Sequence, residues 1–233
     1  MEVKLLHHTP LWVSDKAIGK CWNKPTPDVK YEIMNLERTE VDEVILKPGC
    51  NTERIDRVAN KNKHASTIEH LNYTFDIDGI SRALLQELAR HRMASLSVKS
   101  TRYTLKELKD EEPFVSLNHS GKMLGISVGA KERALKYIVP TQNEEVRNAS
   151  IYALENLRVL LSKGVPNDTA KYCLPESYKT SLVLTVNARS LQNFLSLRTS
   201  KAALWEIRDL ANEIFKQLPE DHRFLFEGSI SNG

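Results

Sequence analysis

The chain has 233 residues, 41% hydrophobic and 27% charged, with a formal net charge of +3, and is long enough to bury a substantial core as one large domain or two small ones. A balance this mild, with a pI near 8.6, excludes nucleic-acid binding by bulk field, so any preference for anions must come from local clusters. Three cysteines, Cys21, Cys50 and Cys173, lie far apart without C-x-x-C spacing, which excludes a zinc ribbon and suits a reducing cytosol.

The opening MEVKLLHHTPLWV lacks a basic n-region followed by a long apolar core, so no secretion signal is expected. Apolar runs such as Leu182 to Leu184 with Val186 are too short to cross a bilayer, and a cytoplasmic protein is expected. No repeat, low-complexity tract or Gly/Ser linker divides the sequence. The expectation is one domain over residues 1–233, with two lobes meeting at a site. Leu71, Tyr73, Phe75 and Ile77 alternate with Asn72, Thr74 and Asp76, the period of a half-buried strand, and Asp78-Gly79 is expected to turn the chain. Ser81 is placed to cap a helix with apolar Ala83, Leu84 and Leu88, which delivers Arg90, His91 and Arg92 at its C-terminal end. Helices are predicted over 130–138 and 144–163, the second closed by Gly164 and Pro166.

Tyr178, Thr180, Leu182, Leu184 and Val186 form a second alternating run that leads straight into NARSLQNFLSLR. There Leu191, Phe194, Leu195 and Leu197 supply a core face, while Arg189 and Asn193, four residues apart, share another. A last helix over 202–218 is stopped by Pro219, and the small polar tail after Phe226 is expected to fray. Long helices with two clear strand signals and no regular βαβ alternation predict a mixed α/β or α+β fold, a largely antiparallel central sheet flanked by long helices.

The most informative stretch is RHRMASLSVKSTRY, Arg90 to Tyr103, in which three arginines, a histidine and three serines crowd together. Adjacent cations repel, so a fold tolerates such a cluster mainly when an anion compensates it; guanidinium forks suit phosphate oxygens and hydroxyls add donors. The competing reading is a solvated helix end whose cations complement the macrodipole. Asn187 and Arg189 sit where a strand gives way to a helix, so their polar groups either read a nucleotide's edge or simply cap and solvate the helix.

Other chemistries compete. Gly125-Ile-Ser-Val-Gly129 fits G-x-S-x-G with Ser127 as nucleophile, and Asp168 or Asp209 with His222 would follow in triad order, but the parallel strands of that fold are absent. His64, Glu69 and His70 offer metal-ligand types, yet the spacing is not H-E-x-x-H and no metal is expected. A binder tracking nucleic-acid phosphates along Arg90 to Arg102 is the non-enzyme alternative, weakened by the modest charge. Cys173, before Leu174-Pro175, reads as a buried residue at a helix end.

RHR, followed by seven residues, Ser100, Arg102 and Tyr103, resembles the signature of flavin-dependent thymidylate synthases. NARSLQNFLSLR resembles that family's second block, and His64-Ala-Ser-Thr-Ile-Glu-His70 before a strand resembles its third. The resemblance runs from about His64 to Leu210 with block order and spacing kept, and is looser over the first sixty residues. It implies methylation of dUMP at C5, with the methylene from methylenetetrahydrofolate and the hydride from FAD reduced by NADPH, in a homotetramer whose sites are shared between subunits. By position it implies a dUMP site of Glu87, Arg90, Ser100, Thr101, Arg102, Tyr103, Lys171 and Arg198. It likewise implies a flavin site of His64, Ser66, Glu69, Arg90, His91, Arg92, Met93, Asn187, Arg189 and Asn193, with His64 near the isoalloxazine.

Of these, Arg102, Ser100 and Arg198 are the implied catalytic set. Serine needs a base to act as nucleophile and none is spaced for Ser100, so electrostatic activation by Arg102 is favoured, with Ser100 positioning the ring. The sequence departs from the family pattern at three places. Ser97-Val98 replaces an Asn-Glu pair, Glu87 stands for a glutamine with Gln86 about 100° around the helix, and Lys171 replaces an arginine and loses its fork.

Overall fold

A computed structural model describes residues 1–23, 50–117 and 123–231. Its main sheet has strand order β1-β2-β6-β3, where β1 is Glu2–His8, β2 Asn72–Ser81, β3 Ala94–Val98 and β6 Lys179–Asn187. Two short strands, β4 (Ser116–Leu117) and β5 (Met123–Gly125), pair antiparallel as a separate hairpin. The two alternating sequence runs became β2 and β6; every second residue is buried along β6 and in β2 as far as Ile77, because apolar side chains recur there at period two. Their antiparallel course follows from bonds at both ends, Ala188 N to Leu71 O at 2.8 Å and Arg82 N to Tyr178 O at 3.0 Å. The sheet is antiparallel and the fold mixed, as the patterning predicts.

Asp78-Gly79 does not turn the chain. Gly79 adopts φ +73° inside β2, a left-handed conformation glycine takes at little cost, and a Cβ there would stand 3.6 Å from the backbone of Met1. The strand nevertheless continues to Ser81, whose hydroxyl accepts from Leu84 N at 3.0 Å and starts α3 (Arg82–Leu88).

The chain divides into two compact units, and the sheet strands are cut by the division. The first unit comprises Met1–Val3, Asp76–Arg92 and Leu96–Leu184. With α1 as Trp12–Cys21 and α2 as Thr52–Asp56 in the second unit, the first carries α3, α4 (Thr101–Thr104), α5 (Lys106–Lys109), α6 (Val128–Ala134), α7 (Glu144–Ser162) and α8 (Asn167–Ala170). Its core packs Leu105, Leu108, Phe114, Ile138 and Ala170 against Ile151, Leu154, Leu157 and Leu161 of α7, which recur at the three- and four-residue steps of a helix face. Glu155, on the same face, accepts from Phe114 N at 2.8 Å and pairs with Arg158 at 2.7 Å, so its buried charge is compensated. Gly164 (φ +84°) closes the long helix as expected, whereas the helix predicted over 130–138 gives way at Ala134 to turns.

The second unit comprises Lys4–Phe75, Met93–Ser95 and Thr185–Gly233. It contains α1, α2 with a π-turn over Arg57–Lys61, α9 (Ala188–Arg198) and α10 (Trp205–Gln217). Asp15 on α1 is almost fully buried and answered by Arg54 at 2.6 Å. Tyr73 and His222 are buried together, the phenol oxygen 2.7 Å from Nδ1, with Phe226 and His8 rings edge-on to them. Where the sequence reading expects fraying after Phe226, a 3-10 turn forms over Glu227–Ser229 and Ser231 N donates to Thr199 Oγ1 at 2.9 Å.

Candidate functional site

In the first unit, α3 carries Glu87 near its end and leaves Arg90 exposed just beyond it. Glu87 Oε1 lies 3.5 Å from Arg90 Nη1, an i,i+3 pair, so the carboxylate already answers part of the charge a phosphate would meet. Gln86 does not replace it: its amide donates to both oxygens of Glu176 at 2.9 and 3.0 Å. His91 is half-buried, while Arg92 and Met93 are exposed.

The sequence then takes a form the patterning did not anticipate. Ala94–Val98 is extended as β3, with no residue of it buried, and five extended residues span about 16 Å. Arg90 to Arg92 and Ser100 to Tyr103 therefore stand at opposite ends of a strand instead of crowding together. Lys99 N donates to Ser181 O at 2.8 Å, carrying the pairing with β6 to the start of α4.

Ser100 is the residue before α4, and its side chain makes no cap bond. Thr101 is half-buried, whereas Arg102 and Tyr103 are exposed, the guanidinium 5.8 Å from the Tyr103 ring centroid. Lys171 follows α8 in a 3-10 turn, Lys171–Cys173, with its ammonium 5.9 Å from the ring of Tyr172. α8 is bound to α4 by Asn167 Nδ2, which donates to Arg102 O at 2.8 Å across 65 residues. The first unit thus joins Ser100 to Tyr103 with Lys171. Sequence spacing offered no signal for Asn167 or Tyr172, since neither is at a periodic or motif position.

In the second unit, a 3-10 turn over Ala65–Ile68 places His64, Ser66 and Glu69 at the surface, with Thr67 and Ile68 buried as its anchors. α9 begins beside it, because Ala188 N donates to Leu71 O at 2.8 Å. Asn187 is the N-cap, its Oδ1 accepting from Ser190 N at 2.9 Å. The capping role is real and leaves the amide nitrogen as the group still able to donate. Arg189 Nη1 donates to Glu69 Oε1 at 2.6 Å, and both side chains are exposed. Asn193 is exposed one turn further along α9. Arg198 lies about 13 Å along the helix from Arg189 at 1.5 Å per residue, at the far end of α9 and half-buried. The second unit therefore gathers His64, Ser66, Glu69, Asn187, Arg189 and Asn193, and holds Arg198 apart.

The rival chemistries meet specific obstacles. Ser127 is an N-cap, its hydroxyl accepting from Ala130 N at 3.2 Å, not a nucleophile on an elbow after a parallel strand. His222 is buried with Nδ1 engaged by Tyr73, and burial lowers its pKa from 6.5 to about 4. Glu69 is spent on Arg189, and among the described residues no three His, Cys, Asp or Glu side chains converge on a metal-sized site. Cys173, expected to be buried, is exposed, because the 3-10 turn points it away from the core that Ala170 enters. No helix among the described residues is long and apolar enough to cross a membrane.

Exposed guanidinium, imidazole and amide groups are the donor set that fits the phosphates and heterocycle edges of a dinucleotide cofactor and a nucleotide. Residues 4–222 match the family model for thymidylate synthase complementing protein. Flavin-dependent thymidylate synthase from Campylobacter jejuni is 54% identical over 231 residues, covering 97% of this chain and 96% of the relative. The protein of the same name from Helicobacter pylori is 47% identical over 234 residues and all of both chains. The crystal structure of thymidylate synthase X from Helicobacter pylori with FAD and dUMP superposes with a TM-score of 0.81 at 47% identity, again over all of both chains. Matched nearly from end to end by both sequence and fold, the chain belongs to the flavin-dependent thymidylate synthase family.

Proposed function

We propose that the chain methylates dUMP to dTMP, taking the methylene carbon from methylenetetrahydrofolate, with FAD as cofactor and NADPH as its reductant, in the cytoplasm. The observation that carries this is the pair of exposed donor clusters on a chain of this family: Ser100 to Tyr103 with Lys171, and His64 to Glu69 with the start of α9. The first cluster, with Glu87, Arg90 and Arg198, holds dUMP. The second, with Arg90, His91, Arg92 and Met93, holds FAD, and His64 lies near its isoalloxazine. FAD, when reduced, supplies the hydride that completes the methyl group.

Arg102 and Arg198 set positive charge against pyrimidine oxygens, which raises the nucleophilicity of C5 without a covalent adduct at C6. Ser100 orients the ring, since the sequence spaces no general base to activate it as a nucleophile. Lys171 compensates phosphate charge as a point cation rather than a fork. The separation of Arg90 and Arg102 by β3 supports a homotetramer in which one subunit's strand end completes another's site.

The decisive measurement is flavin absorbance of the purified protein followed by dTMP formation from dUMP, methylenetetrahydrofolate and NADPH. A colourless protein that neither takes up FAD nor makes dTMP rejects the proposal. Ser100→Ala retains measurable turnover; complete loss with dUMP and FAD binding intact would instead make Ser100 the nucleophile.

A further inference from the structure

The bond that joins α4 to α8 reaches a residue outside every motif. α4 is a single turn, too short to satisfy its own carbonyls. Ser100 O accepts from Tyr103 N and from Thr104 Oγ1, both at 3.2 Å. Arg102 O is met from elsewhere, by Asn167 Nδ2 at 2.8 Å. Asn167 is the first residue of α8, whose N-cap is Pro166, so its amide is not consumed in capping. Four residues on, about one helical turn, stands Lys171.

Below this bond the two segments share an apolar floor, with Leu105 after α4 and Ala170 at the end of α8 both buried in the core of the first unit. The floor fixes both segments at their buried ends, and the amide fastens them at the solvent side. Above it, the Arg102 and Lys171 cations lie over tyrosine rings that are themselves 69% and 86% exposed. Such rings cannot aim a cation by packing, so the backbone must.

We infer that Asn167 is a positioning residue: by holding the Arg102 carbonyl it sets the Arg102 guanidinium at a fixed span from Lys171, the span that grips the nucleotide. The inference rests on the proposed assignment of Arg102 and Lys171 to dUMP. Asn167→Asp is the sharpest variant, because it keeps the shape and turns a donor into an acceptor facing a carbonyl oxygen.

The experiment uses the full chain loaded with FAD and measures KM and kcat for dUMP, dUMP affinity by calorimetry, flavin affinity and thermal midpoint. Losing one neutral hydrogen bond corresponds to about a five-fold effect. Asn167→Asp and Asn167→Ala therefore raise the KM for dUMP about five-fold, with kcat, flavin affinity and the nucleotide-free midpoint nearly unchanged. Asn167→Gln recovers part of the loss. In an Arg102→Ala background the Asp substitution weakens dUMP binding no further. A wild-type KM in Asn167→Asp while Arg102→Ala is impaired overturns the inference alone. So does an equal fall in flavin affinity and midpoint, which marks a merely structural role. A wild-type dUMP affinity in Arg102→Ala removes the nucleotide assignment, and the inference with it.

Discussion

The corner formed by His64 to Glu69 and the start of α9 differs sharply from the stretch Arg90 to Tyr103. The corner is tied within one chain three ways: a backbone bond from Ala188 to Leu71, the Asn187 cap, and the Glu69 to Arg189 pair. Buried Ala188, Leu191 and Ile68 lie beneath it. The stretch is the opposite, with two cationic ends held apart by a strand that buries none of its residues. Groups tied this way are held in place before any ligand arrives, which lowers the ordering cost of binding. In the proposed assembly, the cations at the two ends of β3 reach one ligand from different subunits.

Arg198→Ala tests that contrast hardest. With Arg198 holding the nucleotide, as proposed, dTMP formation falls about 10²–10³-fold with flavin retained, as for loss of a charge-stabilising donor. Equal loss of flavin binding would mean that both ends of α9 serve one ligand, and the contrast would collapse. Leu191→Ala removes a fully buried side chain between Arg189 and Asn193. Chemical denaturation should show a cost of about 3 kcal/mol, and flavin affinity should fall with it. A cost under about 1 kcal/mol would show that the corner is not held by its floor.

Acid probes the same unit through His222. Burial holds its pKa near 4, against the pull of Asp221 and aided by the neighbouring His8. The unfolded chain takes up the proton first, so the stability this histidine contributes is present above about pH 6.5 and lost as pH falls through 4. The expected loss is roughly 2 kcal/mol after allowing for screening. Denaturation between pH 7 and 4.5 should show that slope in the wild type and a flatter one in His222→Gln; matching slopes would clear His222 of the effect. Smallest is Glu69→Gln. The pair is 58% and 43% exposed at its two ends, so stability changes by about 0.5 kcal/mol or less. Flavin titration should shift more than the thermal midpoint does, and the reverse would make the pair a structural brace.

The sequence was most legible where burial is strongest. β2 and β6 lie inside the sheet and need apolar side chains at every second residue, while α7 and α9 need a continuous apolar face. The edges were not legible. β1 buries only Val3, and β3 buries nothing, so neither carries the alternation that announces a strand. Misreading Asp78-Gly79 had a related cause: the pair signals a turn in isolation, but strand pairing on both sides carries the chain through the left-handed Gly79 without reversing it. The residue types of Arg90 to Tyr103 carry an expectation of anionic ligands. The division of that stretch in two could not be read from them, since that depends on an edge strand whose side chains face water.

The open position of β3 has a further consequence. Among the described strands it ends the main sheet, and such an edge offers unpaired backbone groups to any other extended chain. Here the edge is short and bracketed by Arg90 and Arg92 before it and Lys99 after it. Like charges on an incoming copy of the same strand repel it. Arg90, Arg92 and Lys99 therefore act as gatekeepers against edge-to-edge aggregation, and trading them for neutral residues would cost solubility.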